Sequence, residues 1–285
     1  MGVERTVAVT GATGTLGRQV MAALDARAGI TTCAISRRAR PTDLPATHEW
    51  RTADLGRDDL GAAVAGADAI IHLASGKGDG AADVLATRRL LAAAEDAHVR
   101  HVVVISIIGC DRIPLPFYSS KLAIEAEVRQ AGVPWSIVRV AQFHSFVERL
   151  VASAASLPVP SPLIADLRFQ PVDERDAAEA LVNVALGPPI GDAPEVAGPR
   201  VMTLGEIAAT WLAVTGRPGS LVPIDLDRLV ASSSGTPAPE GWVLPTLAGY
   251  SAAWNTAGPG AVLGNVEFEI WLRRRIGAGQ RAGDG

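Results

Sequence analysis

With 285 residues, 48% of them hydrophobic, the chain can bury a large core and is excluded from the disordered class. A net charge of −4 with acids and bases interspersed, and one dense basic run at Arg273-Arg274-Arg275, offers no basic face for nucleic acid. No apolar run approaches the ~20 residues of a spanning helix. The start MGVERTVAVTGATG lacks leader character, and Cys33 and Cys110 have no metal-ligand spacing, so a cytoplasmic protein without metal or membrane partner is expected.

In chain order, strands are expected at Thr6–Thr10, Thr31–Ser36, Glu49–Ala53, Ala69–Ala74, His101–Ile107 and Trp135–Val140. Helical patterns lie between them at Leu16–Arg27, Asp58–Val64, Ala81–Asp96 and Phe117–Ala131. Val7–Thr10 and His101–Ile107 run apolar rather than alternating, as in strands buried on both faces of a parallel sheet. Strand–helix alternation over the first ~150 residues predicts an α/β fold, a doubly wound parallel Rossmann sheet. Past Val140, Pro158, Pro160 and Pro162 break the pattern. Helices are expected at Glu174–Leu186, at Thr203–Val214 with a Thr203/Glu206 capping box and a Gly216 stop, and at Glu267–Ile276. Ser232–Pro239 reads as an exposed loop, Leu244–Ala261 shows no usable periodicity, and GAGQRAGDG reads as a disordered tail.

The sequence TGATGTLGRQV sets Gly11, Gly14 and Gly17 between the first strand and the first helix. Glycine there permits a sharp turn and lets a diphosphate reach main-chain N–H groups at the helix N-terminus, where the dipole favours negative charge. Gly11, Thr13, Gly14, Thr15, Leu16 and Gly17 are therefore the candidate cradle of a dinucleotide; the plainer reading is an ordinary glycine-rich turn. The second strand runs into Ser36-Arg37-Arg38, with Arg40 close behind and no carboxylate before Asp43. An acid at this place accepts a bond from a free ribose 2′-hydroxyl, whereas guanidinium groups attract a 2′-phosphate. Arg37 and Arg38 thus favour NADP over NAD, unless they form only a solvated basic loop.

Several pieces together resemble the short-chain dehydrogenase/reductase superfamily in its atypical, NmrA-like branch. They are G-x-x-G-x-x-G at 11–17, Ala53-Asp54-Leu55, His72-Leu73-Ala74-Ser75, the long stretch from His101 to Phe146, and, more loosely, FQPVDERDAAEAL, VAGPRVMTLGEIA and Trp271-Leu272. The resemblance implies a Rossmann domain over 1–155, a small substrate-side C-terminal subdomain over 156–276 interleaved with the last strands, and a tail over 277–285. It places Asp54 and Leu55 by the adenine, Leu73, Ala74 and Ser75 by the adenine ribose, and Ser106, Tyr118 and Lys121 around the nicotinamide. The superfamily's usual Tyr-x-x-x-Lys is here Tyr118-Ser-Ser-Lys121, which moves the lysine from one flank of the tyrosine to the other.

Without the resemblance, Lys121 still stands out. A cation in the first turn of a helix opposes the macrodipole, and its one evident helix partner, Glu125, lies on the less favourable C-terminal side. Its ammonium can hold a ribose hydroxyl and lower the pKa of Tyr118 from its usual ~10; a solvated lysine and a core tyrosine is the alternative. Ser106 reads equally as a catalytic or a strand-end hydroxyl. Gln142 and His144 follow the sixth strand, where substrate groups or structural ones are both expected. Arg139 reads as a partner for carbonyls or an acid, and His72, His98 and His101 as structural. The leading expectation is an NADPH-dependent oxidoreductase reducing a small carbonyl, quinone or similar acceptor. The alternatives are a non-catalytic NAD(P)-sensing regulator and a redox-neutral epimerase or dehydratase that keeps its nucleotide.

Overall fold

The computed structural model describes residues 4–42, 45, 48–76, 80–156, 161–217, 221–232, 240–241 and 243–283. The chain divides into two compact units. The first comprises Met1–Ser106, Pro116–Arg139 and Ala177–Pro194; the second comprises Ile107–Leu115, Val140–Asp176 and Glu195–Gly285. Residues 177–194, beyond the expected boundary at 155, belong to the first unit.

The first unit is built from β1 (Arg5–Thr10), α1 (Thr15–Asp25), β2 (Ile30–Ser36), β3 (Glu49–Thr52), α2 (Gly61–Val64), β4 (Ala69–His72), α3 (Gly80–Asp96), β5 (His101–Ile107), α4 (Pro116–Gln130) and β6 (Trp135–Val140). The strands lie in the order β3-β2-β1-β4-β5-β6, and the registered pairs among them are parallel. The order reverses between β1 and β4, which opens a crevice at the carboxyl ends of those two strands. The apolar runs are buried as expected: Val7–Val9, Ile70, Ile71, Val102 and Val103 are fully inaccessible. One face packs Ala8, Cys33, Ile35, Ile70 and Val104 with residues of α2, α3 and α4. Against β1 and β2 sits α1, through buried Val20, Met21 and Leu24. Helices thus cover both faces, as a doubly wound sheet requires.

The helix Glu174–Leu186 and the strand Gly191–Asp192 complete this unit. Arg27 bonds Glu179 and Asn183, Arg5 donates to the Leu186 carbonyl, and Gly191–Asp192 adds parallel to Ser136–Ile137.

In the second unit Val140 pairs with Val196, and Val196–Ala197 pairs in parallel with Val262–Leu263. Two further two-stranded pairs join Arg168–Phe169 to Met202–Thr203 and Ser161–Ile164 to Leu221–Ile224. The helix Leu204–Thr215 carries the expected capping box, with Thr203 and Glu206 exchanging bonds, and ends on Gly216 at φ 64°.

Some elements depart from expectation. The helix expected at 58–64 shrinks to α2, because Asp58 and Asp59 accept bonds from the backbone of Asp54 and Gly61 and hold the chain in turns. Helices at His144–Ala155, Leu226–Ser232 and Val243–Ser251 are additional. The terminal helix runs from Phe268 to Gly283, through residues expected as tail, where Ala, Gln and Arg are good helix formers. Of the loop expected at 232–239, residues 233–239 fall outside the described residues, as do Pro158 and Pro160. Among the described residues, no helix is long and apolar enough to cross a membrane.

Candidate functional site

At the end of β1 the chain turns through Gly11 at φ +72°, where a Cβ would lie 2.9 Å from the Ala74 nitrogen. Gly17 packs so closely that a Cβ would overlap the Gly11 carbonyl oxygen and come within 2.8 Å of Ala12 Cα. Both glycines are thus demanded by the fold. Gly14 is not. Its φ of −73° and ψ of 170° suit any residue, and a Cβ there would meet only the Gly11 oxygen, at 3.3 Å. Gly14 is the N-cap of α1, which has no side-chain cap and no acidic residue in its first turn. The positive end of this helix is left uncompensated by the chain itself.

A cavity of about 420 Å³ opens over this turn. Gly11, Thr13 and Gly14 form its floor, and Ser36–Arg38, Asp54–Gly56, Leu73–Gly76 and Asp83 form its rim. Arg37 and Arg38 are exposed on that rim. Their loop is pegged by Ser36 Oγ, which accepts from Arg38 N at 3.2 Å, and by Trp50 Nε1, which donates to Arg38 O at 2.9 Å. Asp54 Oδ1 accepts from Gly56 N. Asp83, in the first turn of α3, accepts from Ser75 Oγ at 2.8 Å and from Gly76 N at 2.6 Å.

Floor and rim are joined by one directed chain of hydrogen bonds. Thr10 Oγ1 accepts from the nitrogens of Leu73 and Ala74, so its own proton goes to His72 Nδ1 at 2.7 Å. His72 Nε2 then donates to Thr87 Oγ1 at 3.0 Å, and Thr87 donates to the carbonyl of Asp83 at 2.8 Å. Burial, helped by the charge of Lys121, pushes His72 down to about 3, which keeps the ring in the neutral form the chain requires.

The buried face of α4 presents Tyr118, Lys121 and Glu125 at helical spacing. Tyr118 is 3% and Lys121 6% exposed, and the Lys121 ammonium sits 5.5 Å from the Phe117 ring centroid. Ser106, on β5, is buried and donates its hydroxyl to Glu125. Glu125, fully buried, also receives two bonds of 2.8 Å from Arg139 and one of 3.1 Å from Arg129. Burial would raise its carboxyl, but the bonds from Arg139 and Ser106 outweigh it and hold it down at about 2.

Gln142 and His144 lie in the second unit and are engaged there. Gln142 Oε1 accepts from buried Asn255 at 3.0 Å. His144 is 1% exposed, donates from Nε2 to the Val266 carbonyl at 2.9 Å, and packs at a tilt against Phe268 and Trp271. Burial lowers its pKa, which disfavours the charged ring, and its Nε2 proton is committed to Val266. These contacts tie His144 into the second unit, in keeping with the structural one of the two roles expected for it after β6.

A family model described as NAD(P)H-binding matches residues 11–152. The (4-alkanoyl-5-oxo-2,5-dihydrofuran-3-yl)methyl phosphate reductase of Streptomyces griseus is 32% identical over 216 residues, covering 74% of this chain and 74% of that protein. The chain belongs to the NAD(P)H-binding family. An uncharacterized Mycobacterium tuberculosis protein is 31% identical over 294 residues, and the match spans 96% of this chain but only 31% of that longer protein. Among solved structures, the NADPH-dependent quinone oxidoreductase of Escherichia coli, complexed with NADPH, superposes with a TM-score of 0.75. It is 20% identical, covering 95% of this chain and 99% of the other, and shares the fold.

For a member of the NAD(P)H-binding family the cradle is physically suited to a diphosphate. Gly14 lines the cavity in an extended conformation open to any residue, and a Cβ there would tighten only against the Gly11 oxygen, at 3.3 Å. Thr13 lines the cavity, whereas Thr15, Leu16 and Gly17 do not; Leu16 and Gly17 are buried and can serve only through main-chain N–H groups. Asp54, Leu55, Leu73, Ala74 and Ser75 also line the cavity. The residues that sequence reading missed are those that hold the rim: Ser36, Asp83, Thr87 and Thr10. The signal for Asp83 was an acid in the first turn of a helix, which by itself says only that the macrodipole is satisfied. Among the described residues no cluster of metal-ligating side chains occurs.

Proposed function

We propose that the protein is an NADPH-dependent oxidoreductase of the short-chain dehydrogenase/reductase type, reducing a carbonyl, quinone or similar small acceptor. The observation that carries the reading is a tyrosine and a lysine buried together on one face of α4 in the nucleotide-binding unit. A lysine is rarely buried without a task, and this one also acts on His72 beneath the cavity rim. Bound NADPH supplies the hydride. The Lys121 ammonium would favour the phenolate form of Tyr118, which ordinarily loses its proton near ~10, and so makes Tyr118 a competent acid toward the oxygen of the acceptor. The acceptor carbon gains hydride, its oxygen gains the tyrosine proton, and solvent restores the phenol. Arg37 and Arg38 would pair with the 2′-phosphate, which sets NADPH above NADH. His144 is left out of proton transfer because its N–H is held by Val266. The reductase activity of the Streptomyces relative and the NADPH dependence of the Escherichia coli enzyme support this reading.

The test is turnover and NADPH affinity of Tyr118→Phe and Lys121→Ala with a panel of quinones, aldehydes and ketones. Tyr118→Phe should keep nucleotide affinity and lose about 100-fold in turnover, the scale of a lost general acid. Lys121→Ala should lose both. Full activity in both variants would end the mechanism.

A further inference from the structure

Ser106 is the last residue but one of β5 and lies where a hydroxyl aimed at the acceptor is expected, yet its proton goes elsewhere. A serine has one hydroxyl proton, and an ionised carboxylate can only accept. Glu125 is held ionised by Arg139, which grips both of its oxygens at 2.8 Å, so the proton shared between Ser106 and Glu125 belongs to the serine and points at the carboxylate. While that bond stands, Ser106 has no proton to donate to an acceptor oxygen.

Glu125 lies four residues after Lys121 and seven after Tyr118, so the three share one stripe of α4. Its partners come from three other places: Ser106 from β5, Arg139 from β6 and, through Arg129, Asp192 at 2.7 Å from the strand beside β6. A carboxylate that is fully buried and bonded from two neighbouring strands fixes both the rotation and the height of the helix that carries it. A slip of α4 by even one residue would rotate its stripe by ~100° and leave a charge buried without partners, a cost few local rearrangements can meet.

We propose that Glu125 is a positioning residue that sets Tyr118 and Lys121 in place, and that Ser106 serves the site only by completing the shell of Glu125. The proposal rests on the reductase reading for its target, Tyr118 and Lys121, but the clamp itself is independent of it. It makes Ser106 a member of the helix anchor and leaves Tyr118 as the one hydroxyl donor to the acceptor.

A double-mutant cycle tests this with Ser106→Ala, Glu125→Gln and the pair, plus Ser106→Thr. In the nucleotide-free protein, the urea midpoints of Ser106→Ala and Glu125→Gln should be non-additive, because Glu125→Gln takes the charge from the acceptor of the bond that Ser106→Ala removes. With NADPH and an accepted quinone or aldehyde, Glu125→Gln should lower kcat at least ~10-fold while acceptor KM and NADPH Kd move less than ~3-fold, since orientation rather than binding is lost. Ser106→Ala should cost less than ~10-fold alone and under ~2-fold in the Glu125→Gln background, and Ser106→Thr should restore the loss. If Ser106 donates to the acceptor directly, Ser106→Ala costs ~100-fold in both backgrounds and the proposal is overturned. Wild-type kcat in Glu125→Gln, or additive midpoints, overturns it as well. Should Glu125→Gln fail to fold, Ser106→Ala and Ser106→Thr still decide through the size of the loss. A silent Tyr118→Phe would sink the reductase mechanism instead, and would leave coupled midpoints in place.

Discussion

Replacing Gly17 by alanine would set a methyl group against the carbonyl oxygen of Gly11 and 2.8 Å from Ala12 Cα. Both obstacles are main chain, so relief requires the β1–α1 turn to move rather than a side chain to swing away. Overpacking of this kind costs about 1–3 kcal/mol. Gly17 also lies in the first turn of α1, where alanine regains up to about 1 kcal/mol of helix propensity. Because the overlap is with main chain, the upper end of that range applies, and the net loss of about 2 kcal/mol corresponds to a thermal midpoint lower by roughly 4–8 °C in a chain of this size. Gly14→Ala is the matched control. Its backbone is extended and its one close contact, with the Gly11 oxygen at 3.3 Å, is tight but relieved by a shift of a few tenths of an ångström, while a weaker N-cap and a less flexible unfolded chain offset each other. The midpoint of Gly14→Ala should stay within about 2 °C of wild type, yet NADPH affinity should fall at least ~10-fold, because the methyl enters the diphosphate space. Far-UV circular dichroism melts and NADPH fluorescence titrations on the two variants measure both quantities. A Gly17→Ala protein that melts with the wild type, or a Gly14→Ala protein that binds NADPH as tightly as wild type, would refute the assignment of one glycine to the fold and the other to the ligand.

Arg37→Ala and Arg38→Ala should each weaken NADPH at least ~10-fold and barely affect NADH, as titration of both nucleotides would show; equal affinities in the wild type would remove the 2′-phosphate contact. Thr87→Val keeps the shape of the side chain but strands His72 Nε2 and frees the Asp83 carbonyl, so chemical denaturation should show a loss of about 1–3 kcal/mol, and NADPH affinity should fall with the loosened rim. On acidification, the unfolded chain takes up a proton at His72 near 6.5 that the folded chain refuses until about 3, so stability should fall as pH drops through that window. A His72→Gln variant should lose one proton from that slope in pH-dependent urea titrations. Glu125 acts in the same sense at lower pH: its carboxyl is held from 4.5 down to about 2, and the stability it contributes, about 3 kcal/mol, is present above 4.5 and lost as pH falls through about 2.

What could be read from the residues was whatever is encoded locally. The capping box of Thr203 and Glu206 and the stop at Gly216 need only neighbours along the chain, and they occur as written. The strands of the first unit declare themselves because burial on both faces leaves continuous apolar runs. The helix His144–Ala155 was not legible, although Val147 and Val151 face inward, because exposed Phe146 and Leu150 blur its apolar stripe. Val243–Ser251 is quieter still, since its buried face consists of Thr246, Gly249 and Tyr250. At the site, the cradle and rim were legible because each stretch is contiguous. The partner of Arg139 was not: Glu125 is 14 residues away and locally resembles a mate for Lys121. Only the pairing of β5, β6 and α4 decides that contest. The chain from Thr10 through His72 to Thr87 likewise joins three elements that share no local signal.

The return of residues 177–194 to the first unit bears on how the protein comes into being. Translation proceeds from the N-terminus at about 5–20 residues per second, and early domains commonly fold while the rest is still being made. Here the sheet order around the cradle is established by β6, yet Ser136 and Ile137 receive their strand neighbours, Gly191 and Asp192, only some fifty residues later, and Arg5 and Arg27 wait 181 and 152 residues for Leu186 and Glu179. Through that interval the nascent chain carries an open sheet edge, the kind of surface that invites pairing with another molecule. Nor can the nucleotide-binding half be excised as a leading fragment or passed intact to another gene by a single splice. A cut after residue 155 would discard its last strand and the helix that braces it.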